Sequence, residues 1–426
     1  MKTLSDIIER LSGYDPQGLP VDQAQRIMRE FVQPVQQTEK VALRDALQRV
    51  LAEDIVSPID VPAHDNSAMD GYALRSADLN AGGDVTFRVV GTILAGQNFG
   101  GEVAPGECVQ IMTGAVMPAG CDTVIQQEAV EIASPTHITF SSNAVKGGDN
   151  RRFRGEDLAA GKPALTTGRV LRPADLGLLA SLGIAEVPVR RRVRVAFFST
   201  GDELRSLGEI LAPGSVYDSN RYTILGMLTR MGCELIDLGL VKDDPALLEA
   251  TLRQACENAD AVITSGGVSV GAADYTKQMM NRLGDMAFWQ IGMRPGRPMA
   301  FGRISSGDKS AYLFGLPGNP VAVMVTFYFF VRDALLRLMG AAPQPLPLLR
   351  AESLSAIRKK TGRTEYQRGI LSQGDDGVWR VRVTGSQGSG ILRSMSEANC
   401  MIVLSPEHGS VREGDGVNVV VFDGLV

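Results

Sequence analysis

The sequence predicts a multidomain protein of the α/β plus β class, and three observations support this prediction. Residues 193–341 alternate wholly apolar segments with helical segments, which is typical of a mostly parallel sheet covered on both faces, a three-layer α/β domain. Residues 55–158 hold short β-rich segments separated by glycines, with no long amphipathic pattern, and predict a separate β domain. The last ~80 residues alternate short strands with turns, which predicts a small C-terminal β-barrel or sandwich.

Composition limits the class of protein. The 426 residues suffice for two to four domains of roughly 100–200 residues each. Hydrophobic residues make up 44% and charged residues 21%, which is typical of globular proteins and excludes a disordered chain. There are 43 Lys and Arg against 48 Asp and Glu, a net charge of −5, so no basic excess indicates a nucleic-acid partner.

The sequence also predicts no membrane partner. The longest apolar segment, Val321–Val331, is interrupted only by Thr326 and is shorter than the ~18 residues that span a bilayer. Asp6 and Glu9 stand where a signal peptide would need its apolar stretch. The five cysteines are odd in number, widely spaced and form no C-x-x-C motif, which favours reduced thiols in a cytoplasmic protein.

The individual elements follow from periodicity. Apolar residues recur every three or four positions near the N-terminus, which predicts a helix with one apolar face from Val21 to Val35. Residues 193–341 are predicted to hold, in order, V-R-V-A-F-F-S from Val193, a helix Asn220–Met231, E-L-I-D-L-G-L-V from Glu234, a helix Pro245–Asn258, A-V-I-T-S-G-G from Ala261, a helix Tyr275–Leu283, M-A-F-W-Q-I-G-M from Met286, A-Y-L-F-G-L-P-G from Ala311 and an apolar helix to Leu338. Prolines 343, 345 and 347 then form a stiff linker.

An unusual loop follows each apolar strand of the α/β segment. Ligands of open α/β sheets bind beyond the carboxyl ends of the strands, because loops and helix N-termini converge there. One such loop alone is as consistent with a tight βα turn as with a site, but five that mix carboxylates, hydroxyls and arginines predict a functional site. The five are Ser199–Leu204 (S-T-G-D-E-L), Asp243–Pro245 (D-D-P), Ser265–Asp274 (S-G-G-V-S-V-G-A-A-D), Arg294–Pro298 (R-P-G-R-P) and Gly315–Pro320 (G-L-P-G-N-P).

The residue types narrow the chemistry of this rim. Ser265, Gly266 and Gly267 are predicted to expose backbone N–H groups that bind phosphate. Arg294 and Arg297 carry permanent positive charge on planar forks that suit oxyanions. The acids are too many for a simple anion pocket and indicate Mg²⁺ beside phosphate, although each acid alone is as consistent with a solvated helix cap. These acids are Asp202, Glu203, Asp243, Asp244 and Asp274.

Two nucleotide-binding motifs are missing from the sequence. No G-x-x-x-x-G-K-[ST] occurs, which excludes a P-loop ATPase, and no G-x-G-x-x-G opens the first helix, so a dinucleotide Rossmann fold is poorly supported. Three further segments, outside the α/β domain, are rich in polar residues: His64–Tyr72, Ile111–Gly114 and Arg151–Asp157. The arginines of the last segment fit either a solvated charge run or a surface of mixed charge.

Motifs in these segments resemble the molybdopterin molybdenumtransferase family, the molybdenum insertases of cofactor biosynthesis, and the C-terminal enzymatic portion of gephyrin. They are D-N-S-A-M-D-G-Y from Asp65, M-T-G from Met112, R-G-E-D from Arg154, S-T-G-D-E-L from Ser199, D-S-N-R from Asp218, S-G-G-V-S-V-G-x-x-D-Y from Ser265 and G-L-P-G-N-P from Gly315. The resemblance implies a homodimer that transfers molybdate onto adenylylated molybdopterin with Mg²⁺ and releases AMP. Other proteins of molybdenum cofactor biosynthesis are then candidate partners.

The resemblance also implies four domains and a set of site residues. The domains are a split helical linker domain (1–55 with 162–192), an inserted β domain (56–161), the α/β molybdopterin-binding domain (193–341) and a C-terminal β domain (342–426). Catalytic positions carried over are Asp70, Thr113, Asp157, Glu203, Asp244 and Asp274, of which the last three are the predicted metal ligands; Pro317 and Pro320 join the cofactor-binding set.

This chain departs from the family pattern at three places. R-P-G-R-P stands where the family commonly has K-P-G-K-P, and Gln290 stands where it has a further lysine. Arginine serves oxyanion binding at least as well as lysine, so only a role that needs a lysine amine is affected. His64 replaces the usual aromatic residue and is assigned no chemistry.

Two other functions are compatible with parts of the sequence. A nucleotidyltransferase that adenylylates molybdopterin would resemble the α/β domain alone, and the extra domains argue against it. A non-enzymatic scaffold with a degenerate pocket would cluster partner proteins, and the full set of acids on the rim argues against that. The sequence does not distinguish molybdate from tungstate as the preferred oxyanion.

Overall fold

The computed structural model describes residues 3–79, 82–266 and 279–423, and the chain divides into two compact units. The first unit comprises Met1–Ala52, Gly168–Arg172 and Glu186–Val426. The second comprises Glu53–Thr167 and Pro173–Ala185. The finer division into four domains stays a prediction.

A six-stranded sheet forms the centre of the first unit. Its spatial order is Glu234–Val241, Arg194–Thr200, Ala261–Ser265, Lys309–Leu316, Pro298–Ser306 and Gly284–Gln290. The first four strands are parallel, while Pro298–Ser306 runs antiparallel to both of its neighbours. The mostly parallel sheet is confirmed, but Pro298–Ser306 was not predicted as a strand.

Helices cover both faces of this sheet. Along the strand Arg194–Thr200, Val195 and Phe197 face one apolar cluster, whereas Ala196 and Phe198 face another, because strand side chains alternate between faces. The first cluster receives Val21–Phe31, Ser219–Arg230 and the long apolar helix, which consists of Pro320–Thr326, a π-helical turn Phe327–Val331 and Arg332–Leu338. The second receives Pro245–Asn258 and the helical residues 279–283. The three-layer prediction is therefore confirmed.

The remaining elements of this part of the unit are short. Residues 275–278 of the predicted helix Tyr275–Leu283 lie outside the described residues, and residues 279–283 are helical. The N-terminal face predicted from periodicity is buried at Ala24, Ile27, Met28 and Phe31. The other elements are Leu4–Ile8 (helix), Leu43–Asp45 (3-10), Thr38–Ala42 paired with Glu186–Arg190, and Leu204–Arg205 paired with Val216–Tyr217.

The C-terminal part of the first unit is a closed five-stranded barrel, as predicted. Around the barrel the strands are Thr364–Gln373, Trp379–Val383, Leu349–Ser353, Gly416–Val421 and Cys400–Leu404, and the last pairs with the first. A short helix, Arg393–Glu397, precedes Cys400–Leu404 in the chain. Met293–Arg294 adds to the strand Thr364–Gln373 in parallel, so the loop R-P-G-R-P begins on the barrel.

The second unit is the β domain expected from its short strands. Its sheet runs Thr123–Gln126, Gly71–Leu74, Glu107–Ile111, Asp84–Ile93, His137–Ser141 and Glu131–Ser134. Residues 71–74 are buried on both sides, with Ala73 in one apolar cluster and Tyr72 and Leu74 in another. Smaller elements are Ile55–Val56 with Pro163–Leu165, Asn66–Ser67 with Arg151–Arg152, the helix Pro173–Ser181 and the 3-10 turns Ser76–Asp78, Gln127–Ala129 and Ser142–Ala144.

Two expectations from composition can be compared with these elements. All five cysteines are unpaired thiols. Burial raises the pKa of Cys108, Cys121 and Cys400 to about 12, so these thiols stay protonated and unreactive near neutral pH. Within the described part of the chain, every helix is too short or too polar to cross a bilayer.

Candidate functional site

A cleft of about 950 Å³ lies at the carboxyl ends of the parallel strands in the first unit. Four of the five predicted rim loops line it: the loops after Thr200, after Val241, after Gln290 and after Leu316. Ser265 and Gly266 represent the remaining loop. The convergence expected from the sheet topology is therefore present among the described residues.

The cleft brings together seven of the predicted site residues. Asp244 does not line it, and Gly267 and Asp274 lie outside the described residues. The seven are Glu203, Ser265, Gly266, Arg294, Arg297, Pro317 and Pro320.

The first glycine of the S-G-G loop, Gly266, does not expose its N–H for phosphate as predicted. The N–H of Gly266 donates to the carbonyl of Leu316 at 3.2 Å, so this N–H is not exposed for phosphate. Gly266 has φ +93°, and a Cβ at this position would lie 2.3 Å from the carbonyl oxygen of Thr200. Only glycine allows the two strand ends to approach so closely.

The two acids of the D-D-P loop have different surroundings. Asp244 is exposed and caps the helix Pro245–Asn258, with its carboxylate accepting from the N–H of Leu247 at 2.9 Å. Its neighbour Asp243 lines the cleft, and its carboxylate accepts from the hydroxyl of Thr200. Of this pair, the geometry places Asp243 rather than the predicted Asp244 in the cleft.

The predicted Mg²⁺ ligands do not form a metal site within the part of the chain that the structure describes. No group of three His, Cys, Asp or Glu side chains in metal-binding arrangement occurs among these residues. Glu203 lies in the cleft, with its carboxylate folded over Gly201, while Asp244 caps a helix. The described residues alone therefore do not form a complete Mg²⁺ site, and no chemical step is assigned to Mg²⁺.

Two buried polar residues at the start of one helix organise the base of the cleft. Asp218 is 3% exposed and caps the helix Ser219–Arg230 through the N–H of Arg221. The amide of Asn220 donates to the hydroxyl of Ser265 and to the carbonyl of Gly318, both at 2.7 Å. Asn220 thereby ties the third strand's loop to the L-P-G-N-P loop. The D-S-N-R motif is the sequence signal for this pair, although neither residue was predicted as a site residue.

Arg294 and Arg297 have unequal freedom. The Arg297 guanidinium donates to the carbonyl of Gln17 at 3.0 Å, and its Nε is buried without a partner. Arg294 is exposed. Among the residues described, neither arginine forms an ion pair with a rim acid, which favours anion binding over neutralisation of those acids.

A loop of the C-terminal barrel forms one wall of the cleft and was not predicted. It is Ser386–Gly390, with the sequence S-Q-G-S-G, and four of its residues, 387–390, line the cleft. The fully buried guanidinium of Arg368 donates to the carbonyls of Ser386, Gln387 and Gly388 at 3.4, 3.2 and 3.0 Å. Burial lowers the pKa of Arg368 to about 10, which leaves it charged at neutral pH.

The orientation of this loop suits an anion. In a trans peptide the N–H points opposite to the preceding carbonyl. Since three carbonyls point to Arg368, the N–H groups of Gln387, Gly388 and Ser389 point away from it. No hydrogen bond between described residues uses these three N–H groups. A row of free N–H groups backed by a buried positive charge is a cradle for oxyanions.

In the second unit, two more predicted site residues, Asp70 and Thr113, are hydrogen-bonded to each other. The carboxylate of Asp70 accepts from both the N–H and the hydroxyl of Thr113, each at 2.7 Å. These two hydrogen bonds hold the pKa of Asp70 below its usual range, so it is a carboxylate at neutral pH. Asp157 is exposed, and no hydrogen bond or ion pair within the described ranges links its side chain to this pair.

The arginine-rich loop of this unit carries paired charges. Arg151 forms a salt bridge with Asp65, and Arg154 forms one with Asp60 at 2.5 Å. The N–H of Arg154 also donates to Asp65 at 2.7 Å. Of the two interpretations left open by the sequence, the pairing of Arg151 and Arg154 favours a mixed-charge surface over a solvated charge run.

Models of three protein regions match successive parts of the chain. The MoeA N-terminal region (domain I and II) matches residues 19–183, a probable molybdopterin binding domain matches 196–337, and the MoeA C-terminal region (domain IV) matches 350–422.

Whole proteins resemble the chain over almost its full length. It is 43% identical to a molybdopterin molybdenumtransferase of Haemophilus influenzae over 409 residues, 96% of this chain and all of the relative. It is 32% identical to gephyrin of Dictyostelium discoideum, covering 95% of this chain and 62% of gephyrin. The crystal structure of the molybdopterin biosynthesis moeA protein of Pyrococcus horikoshii matches with TM-score 0.81 and 29% identity, over 95% of this chain and all of that one.

Proposed function

We propose that this protein inserts molybdenum from molybdate into adenylylated molybdopterin, with Mg²⁺, and releases AMP. The proposal starts from the family: the chain belongs to the MoeA family of molybdopterin molybdenumtransferases. The product is molybdenum cofactor. One observation carries the proposal beyond family membership: the cleft at the strand ends has cationic walls from two separate parts of the fold. Arg294 and Arg297 supply one wall, and the loop held by Arg368 supplies the other.

These walls suit the two anions that the reaction must bring together. Molybdate is an oxyanion, and the substrate carries phosphates and a dithiolate. The guanidinium of Arg294 and the free N–H groups of Gly388 and Ser389 donate to oxyanion atoms without needing to reorganise. Positioning of two mutually repelling anions, with their charge stabilised, lowers the barrier without a nucleophile from the protein.

The acids have a separate purpose in the proposal. Glu203 and Asp243 line the same cleft as the arginines. Carboxylates beside phosphates suit a hard cation, so we expect a requirement for Mg²⁺. Asp274 stays a predicted ligand, and Asp70, Thr113 and Asp157 stay predicted catalytic residues.

The deciding experiment follows AMP. Purified protein is incubated with adenylylated molybdopterin, Mg²⁺ and molybdate, and AMP is quantified by chromatography. We expect AMP release that depends on molybdate and ceases when EDTA removes Mg²⁺. Consumption of ATP and unadenylylated molybdopterin would instead identify an adenylyltransferase. Absence of both activities in a folded protein would favour the scaffold function.

The assembly and setting of the enzyme are part of the same proposal. We expect a homodimer in the cytoplasm, with four domains per chain and contacts to other proteins of molybdenum cofactor biosynthesis. Sedimentation at micromolar concentration should then give about twice the 45.6 kDa chain mass. A monomer with full activity would contradict the dimer.

A further inference from the structure

A strongly basic groove of about 840 Å³ adjoins the cleft on the barrel side. It is lined by five cationic side chains and a single acid, Glu365. The cations are Arg294, Arg358, Lys359, Lys360 and Arg363, and the name basic groove is used below for this set. The segment R-K-K-T-G-R that supplies four of them was not assigned any function from the sequence.

The positive charges of the basic groove are only partly compensated by carboxylates. Arg358, Lys360 and Arg363 are exposed, and no ion pair with a described acid involves them. Glu365 is 8% exposed and accepts from the amide of Gln367 at 2.9 Å. A surface ion pair would have cancelled part of this field, so the groove presents its positive charge to solvent.

Lys359 is a fixed charge at the base of the groove. It is 6% exposed, and its ammonium donates to the carbonyls of His408 and Lys360 at 2.8 and 3.2 Å. Burial lowers the pKa of Lys359, while the nearby carboxylates of Glu365 and Glu407 act in the opposite direction. Backbone carbonyls hold the ammonium in place without neutralising it.

Arg294 connects the basic groove with the cleft. It lines both, and it also lines a smaller cavity of about 250 Å³ that shares Arg358 and Glu365 with the groove and Pro295 and Gln387 with the cleft. The three cavities are thus neighbours that meet at Arg294. The smaller cavity is below the ~300–1,000 Å³ typical of sites for drug-sized ligands, so it suits a small ion only.

We infer that the basic groove is an entry site that attracts the small oxyanion substrate and delivers it past Arg294 into the cleft. The inference rests on the proposed function, because it takes molybdate as that oxyanion. The chain has a net charge of −5 and repels a dianion at long range. A local concentration of positive charge reverses that repulsion at one place and raises both encounter rate and occupancy.

The test compares two double variants of equal charge change. Arg358→Gln with Lys360→Gln removes two exposed charges of the basic groove. Arg230→Gln with Lys309→Gln removes one Arg and one Lys at the opposite end of the sheet. Arg230 ends the helix that begins at the cleft, and Lys309 begins the strand that ends there. All four side chains are exposed, and thermal unfolding verifies that both variants fold.

We expect the groove variant to have a higher KM for molybdate at low salt and a nearly unchanged KM at high salt. Two charges roughly 10 Å from a dianion change its binding about fivefold at ~20 mM salt and less than about 1.5-fold at ~500 mM. The groove variant should therefore raise the KM for molybdate about fivefold at low salt, with kcat within about twofold of wild type. The control variant should change this KM less than about twofold at either salt concentration.

Two further arms separate the possible outcomes. In the groove variant, the KM for adenylylated molybdopterin, measured at saturating molybdate, should change less than about twofold. If this KM changes more than the KM for molybdate does, the basic groove binds the phosphates of the substrate and the inference is overturned. Calorimetric titration of molybdate alone should show the same salt-dependent loss of affinity. If that loss occurs in a protein that never releases AMP, the proposed function fails, while the attraction of molybdate by the basic groove is retained. Equal molybdate affinity of both variants at low salt refutes the basic groove as a molybdate site.

Discussion

The carboxylate of Asp70 accepts two hydrogen bonds from one residue, Thr113, through its N–H and its hydroxyl, both at 2.7 Å. The two residues are separated by 43 positions and were predicted independently as site residues. Their contact makes Thr113 the group that orients Asp70, and it allows the pair to be tested as a unit.

Asp70→Asn should lower kcat/KM for molybdenum insertion by about tenfold or more, because hydrogen bonds to charged groups contribute about 1.5–3 kcal/mol and the charge itself is lost. Thr113→Val should cause a smaller loss, since the N–H bond remains, and Thr113→Ser should be close to wild type. AMP release measures all three. An active Asp70→Asn enzyme would remove Asp70 from the catalytic set.

Acid should destabilise the second unit partly through Asp65. The N–H of Arg154, then the guanidinium of Arg151, hold the pKa of Asp65 below its ordinary value of 3.8. A lowered folded-state pKa contributes stability above that ordinary value, and this stability is lost as pH falls through the folded value. The melting temperature of wild type should therefore fall more steeply below pH 4 than that of Asp65→Asn. Parallel curves for the two proteins would show that the pair contributes nothing to folding.

Gly266→Ala should destabilise the protein by about 1–3 kcal/mol, because φ +93° is strained for any residue with a Cβ. The new methyl would also lie 2.3 Å from the Thr200 carbonyl oxygen. Gly226→Ala is the matched control: this glycine is exposed within the helix Ser219–Arg230 with open space around it, so alanine should stabilise by about 0.5–1 kcal/mol. Urea titration measures both, and equal stability of the two variants would contradict the proposed close approach.

Arg294→Ala should raise the molybdate concentration needed for half-maximal rate, with the melting temperature little changed, because the exposed guanidinium has no acidic partner among the described residues. Arg294→Lys should retain most activity. Arg253→Ala is a suitable control, since Arg253 pairs with Glu249 on a helix surface and exposed pairs contribute about 0–1 kcal/mol. A loss of stability without any change in anion dependence would assign Arg294 a structural role.

Arg368→Lys should destabilise the barrel by about 2–3 kcal/mol, because one ammonium cannot replace the fork that reaches three carbonyls and the hydroxyl of Ser394. The freed loop should also bind molybdate more weakly in calorimetry. Ser394→Ala removes only one of these partners and should cost about 1 kcal/mol. Weaker molybdate binding in Ser394→Ala than in Arg368→Lys would exclude the cradle.

Local signals explain which parts of the fold were predictable. The strands Arg194–Thr200 and Ala261–Ser265 are apolar throughout because helices cover both faces, and their loops carry polar residues to one rim. The strand Pro298–Ser306 escaped prediction because prolines and glycines precede it and its pairing depends on a tight turn at Gly307. Asp244 directly precedes Pro245 at the first helical position, so the sequence did carry a local signal that Asp244 is the helix cap and Asp243 the residue left for the cleft.

Long-range contacts explain what was missed in the site. The N–H of Gly266 is taken by Leu316, a strand end 50 positions away in sequence, and no spacing rule reports that partner. The wall formed by Gln387–Gly390 reaches the cleft only because the barrel folds and Arg368 holds the loop from below. A buried arginine that donates to backbone carbonyls, as Arg368 does, gives no periodic signal in the sequence that would distinguish it from a surface arginine.

Met293–Arg294 pairs with the barrel strand Thr364–Gln373, so the arginine loop depends on the C-terminal barrel for its position. The N–H of Thr364 donates to the carbonyl of Gly292 at 2.9 Å, so the barrel acts as a template on which the arginine loop takes its shape. A chimaera that receives residues 342–426 from a distant relative would inherit a foreign template. We therefore expect recombination between such genes to preserve activity only at junctions that keep Met293–Arg294 and Thr364–Gln373 from the same parent.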